Sequence, residues 1–174
     1  VDIIIHVAAL KHVSIAEYNP MEFVATNIEG SYNIVKAAIA NNVKKTILLS
    51  TDKAVNPVNL YGATKLSAEK IFIASNNTVG NRDCYFSSVR YGNVIASRGS
   101  VIEKFLNLNK KKDTVFTITD ESMSRFWISL EEAVYFVCMS ILRMHGGEIF
   151  VPKISTMKIL DLAKAINSKA KIKF

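Results

Sequence analysis

A doubly wound α/β fold with a mostly parallel sheet is the architecture this sequence predicts, and three observations predict it. Short β-branched runs alternate with helix-length amphipathic stretches, the pattern of successive βαβ units. The runs are apolar nearly throughout, as strands covered on both faces are. Polar clusters follow directly after the runs, at the carboxyl edge where open parallel sheets bind ligands.

The elements can be justified in order. Val1-Asp-Ile-Ile-Ile-His-Val-Ala-Ala9 is a β-branched run ending in small residues, as a central parallel strand does where a cofactor passes close. Asn19-Pro20 opens a helix with its proline at an early position, and Phe23, Val24, Ile28, Tyr32, Val35 and Ile39 give it an apolar face up to Asn41-Asn42. Lys44-Lys-Thr-Ile-Leu-Leu-Ser50 is the next strand, followed by a helix from Tyr61 through Ile71 and Ile73 that loosens at Asn76-Asn77. Cys84 to Arg90 forms a third strand and runs into a polar turn, Tyr91-Gly-Asn-Val94. Ser100 caps a helix from Val101 to about Leu108. Val115 to Thr119 reads as a short strand. Ser129-Leu-Glu-Glu132 is a capping box opening a helix through Val134, Val137, Ile141 and Leu142, stopped by Gly146-Gly147. Glu148 to Val151 gives one more strand, and Lys158 to Asn167 a last helix with Ile159, Leu162, Ala163 and Ile166 on one face. There is no internal repeat, low-complexity segment or linker.

A length of 174 residues suits one sizeable core rather than two. A complete dinucleotide-binding domain begins with a strand, a Gly-x-Gly-x-x-Gly turn and a helix whose amino end holds the pyrophosphate. None of the seven glycines is grouped that way, so the chain reads as the later part of a Rossmann-like domain, cut before Val1. The expectation that follows is a piece of low stability and no activity by itself.

The 22 basic and 15 acidic residues give a net charge of +7, scattered except at Lys110-Lys-Lys112 and in the tail from Lys169 to Lys173. Scatter argues against a nucleic-acid stripe and suits solvated helix faces or attraction of a small polyanion such as a nucleotide sugar. Cys84 and Cys138 lie in apolar surroundings without Cys-x-x-Cys spacing and read as reduced thiols. His6, His12 and His145 are too dispersed for a metal cage, so no metal is expected. Apolar runs fall far short of the roughly 20 residues that span a bilayer, and no signal peptide is visible. A cytoplasmic protein without membrane attachment is the expectation.

Chemistry concentrates between residues 50 and 65, Ser-Thr-Asp-Lys-Ala-Val-Asn-Pro-Val-Asn-Leu-Tyr-Gly-Ala-Thr-Lys. Tyr61 and Lys65, four residues apart on a helix, project from one side, where the ammonium can favour the phenolate and make it a base. Thr51, Asp52 and Lys53, at the carboxyl end of the preceding strand, are free for a second task. Tyr-x-x-x-Lys alone is weak. Its coincidence with this triplet, with Ala8-Ala9 and with Arg90-Tyr-Gly-Asn-Val94 is specific.

Tyr61, Lys65 and Thr51 resemble the catalytic set of the extended short-chain dehydrogenase/reductases. Ala8-Ala-Leu-Lys-His12, Ser50-Thr-Asp-Lys-Ala54, Asn59-Leu-Tyr-Gly-Ala-Thr-Lys65, Arg90-Tyr-Gly-Asn-Val94, Ser97-Arg-Gly-Ser100, Arg125-Phe-Trp-Ile128 and Gly146-Gly-Glu-Ile-Phe-Val-Pro152 are similar to the 5-inverting UDP-N-acetylglucosamine 4,6-dehydratases of pseudaminic-acid and related sugar pathways. The resemblance covers nearly the whole chain. Ser14 departs from a frequent proline, and Ala96 from a frequent glycine.

The resemblance implies the following chemistry. Tyr61 takes the proton of the sugar 4-hydroxyl as hydride leaves C4 for the nicotinamide, while Thr51 holds that hydroxyl. The 4-ketone acidifies C5, so Lys53 as base and Asp52 as acid can remove water across C5 and C6, the lysine reacting as neutral amine and the aspartate as carboxylic acid. Hydride returns to C6, and reprotonation of C5 from the opposite face inverts it. Ala8, Ala9 and Lys11, with Tyr61, Lys65 and the Val94 backbone, line the cofactor. Thr51 and Asn93 touch the sugar, and Arg125 is placed to fork onto the diphosphate. NADP is the implied cofactor, with NAD open because the residue reading the ribose 2′ position falls outside this sequence. UDP-N-acetylglucosamine is the implied partner, and a symmetric homo-oligomer the implied assembly. Residues 1–100 then carry the later part of the NAD(P)-binding domain, and 101–174 part of a small C-terminal substrate domain interleaved with the last Rossmann elements.

Three other readings stay open. A nucleotide-sugar 4-epimerase uses the same tyrosine and lysine but needs no elimination pair, so Asp52-Lys53 speaks against it. The larger membrane-attached dehydratases that retain C5 tend to carry Met in place of Tyr61. A truncated, non-catalytic product kept for subunit contacts is the third, and the intact set of five polar residues speaks against it.

Overall fold

The computed structural model describes residues 1–97, 99–110 and 114–174. Arg98 of the Ser97–Ser100 motif and Lys111-Lys112 of the basic run lie outside the described residues. In chain order the elements are β1 (Ile3–His6), α1 (Val13–Tyr18), α2 (Pro20–Phe23), a π-helical segment (Val24–Glu29), α3 (Gly30–Ala40), β2 (Lys45–Leu49), a 3-10 turn (Asp52–Ala54), α4 (Leu60–Ser75), β3 (Tyr85–Val89), β4 (Asn93–Val94), α5 (Val101–Leu108), β5 (Val115–Thr117), β6 (Ser124–Ile128), α6 (Leu130–Arg143), β7 (Ile149–Phe150), β8 (Thr156–Lys158), α7 (Ile159–Ile166) and β9 (Lys171–Lys173).

The chain divides into two units, one of residues 1–91 and 136–152, the other of 92–135 and 153–174. The first is a Rossmann-like layered α/β structure. Its four-stranded sheet runs β1-β2-β3-β7, parallel at every pairing, with Ile47 beside Ile5 and Ser87. Successive strand residues point to opposite faces. Leu48 therefore joins Val35 and Ala38 of α3, Ala68 and Phe72 of α4 and Phe86 in one core, while Ile47 joins Val89, Val137, Ile141 and Met144 in another. The parallel α/β class expected from the sequence is the class observed.

In the second unit, β4, β6 and β8 form one small sheet, with β6 and β8 antiparallel, and β5 pairs with β9. Its core gathers Phe105, Phe116, Ile118, Ile159 and Ala163, with the two phenyl rings 4.5 Å apart.

Four local expectations differ. The helix read from Asn19-Pro20 to Asn41 is three pieces, because residues 24–29 wind as a π turn, and α1 precedes it. A π turn inserts a residue without disturbing the apolar content, so hydrophobic spacing does not reveal it. β6, β8 and β9 were not anticipated, since three to five residues with charges among them carry no alternation to read. The Tyr91–Val94 turn includes the short strand β4. β1 lies at the edge of the described sheet rather than in its middle, with Ile3 and Ile5 nearly half exposed.

Candidate active site

The carboxyl end of β2 is pinned before its polar residues begin, because the Ser50 amide donates to the Val89 carbonyl at 2.8 Å. Thr51 continues extended (φ −148°, ψ 155°) and caps the 3-10 turn that follows, its hydroxyl accepting from the Lys53 amide at 3.4 Å. The Asp52 amide donates to the Tyr91 carbonyl at 3.1 Å, which ties this turn to the end of the next strand. The three side chains converge on one oxygen. Asp52 Oδ1 accepts from Thr51 Oγ1 at 2.9 Å and from Lys53 Nζ at 3.0 Å. Thr51 is buried, while Asp52 and Lys53 keep about a third of their side chains exposed (28% and 33%).

Helix α4 starts against this turn. Asn59 is its cap, extended and accepting from the Gly62 amide at 2.9 Å, and the Glu17 carboxylate accepts from the Leu60 amide at 2.9 Å. Glycine is required at 62 because a Cβ there would lie 2.2 Å from the Lys53 carbonyl oxygen. Its absence lets the Thr51–Lys53 turn lie directly on the helix that carries Tyr61. The Tyr61 phenol is mostly buried. Burial raises its pKa, hydrogen bonding with Thr51 opposes that rise, and the charge of Asp52 and the neighbouring Tyr91 add to it. The sequence led us to expect Lys65 to lower this pKa; in the structure burial outweighs every favourable influence on the phenolate.

Lys65 itself is 3% exposed, and burial drives its pKa down to about 8 against a weaker opposing pull from Glu69. Its ammonium makes no hydrogen bond among the described residues. Around it lies a layer of buried polar side chains. Glu69, fully buried, accepts from Arg90 Nε at 2.9 and 3.0 Å and from Arg90 Nη2. Asn27, in the π segment, accepts from the Leu10 amide at 2.8 Å and donates to the Leu10 carbonyl at 2.9 Å and Thr64 Oγ1 at 3.0 Å. It thereby fastens the loop carrying Ala8, Ala9 and Lys11 to the helix turn between Tyr61 and Lys65. Thr64 in turn donates to the Tyr61 carbonyl at 2.9 Å. His6 meets Ser31 at 3.1 Å.

The first unit thus brings Thr51, Asp52, Lys53, Tyr61 and Lys65 together. The β1–β2 register places Ala8 and Ala9 at the same sheet edge, beyond His6 opposite Leu48, and Lys11 follows in the exposed loop. Asn93, Val94 and Arg125 belong to the second unit. There the Asn93 amide donates to the Phe126 carbonyl at 3.1 Å, Val94 pairs with Ile128, and Arg125 Nη1 donates to the Ser124 carbonyl at 2.8 Å. Sequence reading missed Asn27 and Glu69 and weighed His6 only as a metal ligand. The available signal was their polarity at core-facing positions: Asn27 beside Ile28, and Glu69 one turn past Lys65. Among the described residues, no group of three or more His, Cys, Asp or Glu side chains is arranged to hold a metal ion, and no helix is long and apolar enough to cross a membrane.

Comparison with known proteins adds an independent line. Residues 1–173 match the family model described as polysaccharide biosynthesis protein. The chain is 58% identical over 166 residues to a UDP-N-acetylglucosamine 4,6-dehydratase (inverting) of Campylobacter jejuni, covering 95% of this chain and 50% of that protein. It is 46% identical to a UDP-glucose 4-epimerase of Rickettsia bellii, covering 100% of this chain and 52% of that one. Among solved structures, Pen from Bacillus thuringiensis superposes with a TM-score of 0.93 at 43% identity over 99% of this chain and 56% of its own. The chain spans about half the length of the curated relatives it matches.

Proposed function

We propose that this chain, which belongs to the polysaccharide biosynthesis protein family, carries the catalytic centre of a UDP-N-acetylglucosamine 4,6-dehydratase that inverts C5. The observation that carries this reading is the contact of Asp52 and Lys53 with each other and with Thr51, at the foot of the helix bearing Tyr61. An enzyme that only oxidises and reduces one carbon has no use for a second acid/base pair. The 58% identity to an enzyme of that name supports the same reading.

A nicotinamide dinucleotide suits the residues present. The buried Lys65 ammonium has no hydrogen-bond partner among the described residues, and the buried Ser50 hydroxyl is likewise unpaired. Ser50 follows β2 at the sheet edge where Ala8 and Ala9 leave room for close approach, and Lys65 stands one turn along α4 from Tyr61. Lys65 and Tyr61 would hold the ribose end, and Ala8, Ala9, Lys11 and the Val94 backbone would line the rest. Bound there, the dinucleotide supplies a hydride acceptor and donor, which no side chain can. NADP is the first choice and NAD the alternative, separable by titrating the protein with each reduced form.

The side chains do the proton work. Thr51 orients the sugar 4-hydroxyl, and Tyr61 takes its proton as hydride leaves C4. At C5 and C6 the Asp52–Lys53 pair acts as a unit. Proton transfer along its 3.0 Å hydrogen bond turns the ion pair into a neutral amine and a carboxylic acid, the forms that elimination needs. Lys53 then takes the C5 proton while Asp52 protonates the departing 6-hydroxyl, and one water leaves. Arg125 and Asn93 are proposed for the diphosphate and the sugar, the first unit for the cofactor, and the second for part of the substrate region. The working assembly is proposed as a symmetric homo-oligomer.

The 46% identity to a protein named as an epimerase gives the second reading, which uses Tyr61 and Lys65 and leaves Asp52-Lys53 idle. Incubating the full-length protein with UDP-N-acetylglucosamine and NADP and following the sugar by NMR separates the two. A 4-keto-6-deoxy product inverted at C5 is expected, and UDP-N-acetylgalactosamine as the product would reject the proposal.

A further inference from the structure

Three elements of the first unit close a ring of contacts under the Thr51-Asp52-Lys53 triplet. The 3-10 turn presses on α4 at Gly62, where a Cβ would lie 2.2 Å from the Lys53 carbonyl oxygen. The same turn reaches the end of β3, since the Asp52 amide donates to the Tyr91 carbonyl at 3.1 Å. Arg90, the residue before Tyr91, completes the ring by sending its side chain back to α4 at Glu69. Gly62 and Glu69 are seven residues apart, two turns along one buried face of the helix.

Glu69 is fully buried, and Arg90 grips it in a fork: Nε donates to both carboxylate oxygens, at 2.9 and 3.0 Å, and Nη2 donates to Oε2. A buried ion pair adds little stability over apolar side chains of equal volume, so stability alone does not account for it. What a forked guanidinium supplies is one fixed arrangement of donor and acceptor. That matters at this point of the chain, because the β2–β3 pairing ends at Leu49 and Val89, with the Ser50 amide on the Val89 carbonyl as its last bond. Beyond it, Arg90 is held by its amide on the Phe150 carbonyl at 2.8 Å and by its side chain on Glu69. The Tyr91 carbonyl that receives the Asp52 amide follows directly.

We infer that Glu69 and Arg90 are positioning residues for the Asp52-Lys53 pair. The fork fixes the end of β3, the Tyr91 carbonyl then fixes the Asp52 backbone, and the turn holds its two polar side chains against the start of the helix that carries Tyr61. The inference rests on the proposed function for what Asp52 and Lys53 do there, and on the printed contacts alone for how they are held. Loss of the fork frees the Tyr91 carbonyl and loosens the turn from Asp52 onward, while the β2–β3 ladder up to Ser50 stays closed.

The test is amide hydrogen exchange of the full-length protein at single-residue resolution, in the wild type, in Arg90→Lys and in the double variant Glu69→Met, Arg90→Met. Removing either partner singly strands a buried charge, whereas the double variant leaves none and should keep the fold. In the double variant the Asp52 amide should exchange about tenfold faster while the Ser50 amide is unchanged. Arg90→Lys keeps the charge, loses the fork and should give a smaller rise. It also leaves Glu69, which draws the Lys65 pKa upward, in place, so its turnover reports the turn rather than the lysine. With UDP-N-acetylglucosamine, Arg90→Lys should show a kcat for dehydration lowered about tenfold and a KM little changed. A pair that only stabilises the fold would speed exchange at Ser50 and Asp52 together. That result, an Asp52 amide as slow in both variants as in the wild type, or a wild-type kcat in Arg90→Lys overturns the inference. If the double variant does not fold, Arg90→Lys decides alone. The exchange readout needs no turnover, so a protein that proves to be an epimerase would refute the proposed function and leave the exchange test standing.

Discussion

Along α4 the buried charged side chains, Lys65 and Glu69, lie in the earlier part and the one buried aromatic ring, Phe72, in the later part. From Gly62 to Glu69 the buried residues include Thr64, Lys65 and Glu69; further on, Phe72 is fully buried against Phe86, His6 and the α3 core. The later half is an ordinary core that holds the helix in place. The earlier half lowers stability by burying the Lys65 side chain, whose ammonium makes no hydrogen bond among the described residues, one helical turn from Tyr61. The apolar half is what permits the polar half to exist, and substitutions should separate the two.

The largest effect is expected at the apolar end. Phe72→Ala removes a fully buried ring and should lower unfolding stability by about 3–5 kcal/mol in a denaturant titration. Lys65→Met should go the other way. A lysine whose pKa falls from 10.5 to about 8 on folding opposes folding wherever it is charged in both states, which is below about 8. Methionine of similar volume should then raise stability at pH 7 by about 3 kcal/mol while abolishing activity, and the gain should fade as pH rises from about 8 to 10.5. A melting-temperature series across that window checks the sign, and a destabilised Lys65→Met would mean that the polar half stabilises after all. The smallest effect belongs to the helix start. Asn59→Ala removes the cap accepting from Gly62 and should lower stability by about 1 kcal/mol while leaving the pH dependence as it was.

The same division separates what the sequence made legible from what it hid. Leu48, Ala68 and Phe72 lie in runs whose spacing announces strand and helix, and Tyr61, Lys65 and the Thr51-Asp52-Lys53 triplet are adjacent in sequence, so both elements and triplet could be read directly. Asn27 and Glu69 were hidden because their partners, Leu10, Thr64 and Arg90, are 17 to 37 residues away, and no local pattern encodes a pairing across elements. The π turn that places Asn27 was hidden for a related reason, as it changes the hydrogen-bond step without changing the residue types. The effect of Lys65 on Tyr61 was misjudged because spacing gives neighbourhood but not burial, and burial decides this pKa. Ala96, which departs from a frequent glycine, takes φ +56°, the left-handed region that glycine favours.

The most direct test of the account is Lys53→Ala in the full-length protein, assayed by NMR for the 4-keto-6-deoxy sugar from UDP-N-acetylglucosamine. If Lys53 is the base that removes the C5 proton, product formation should fall by about a hundredfold or more while the fold is kept. Turnover at the wild-type rate would contradict the account.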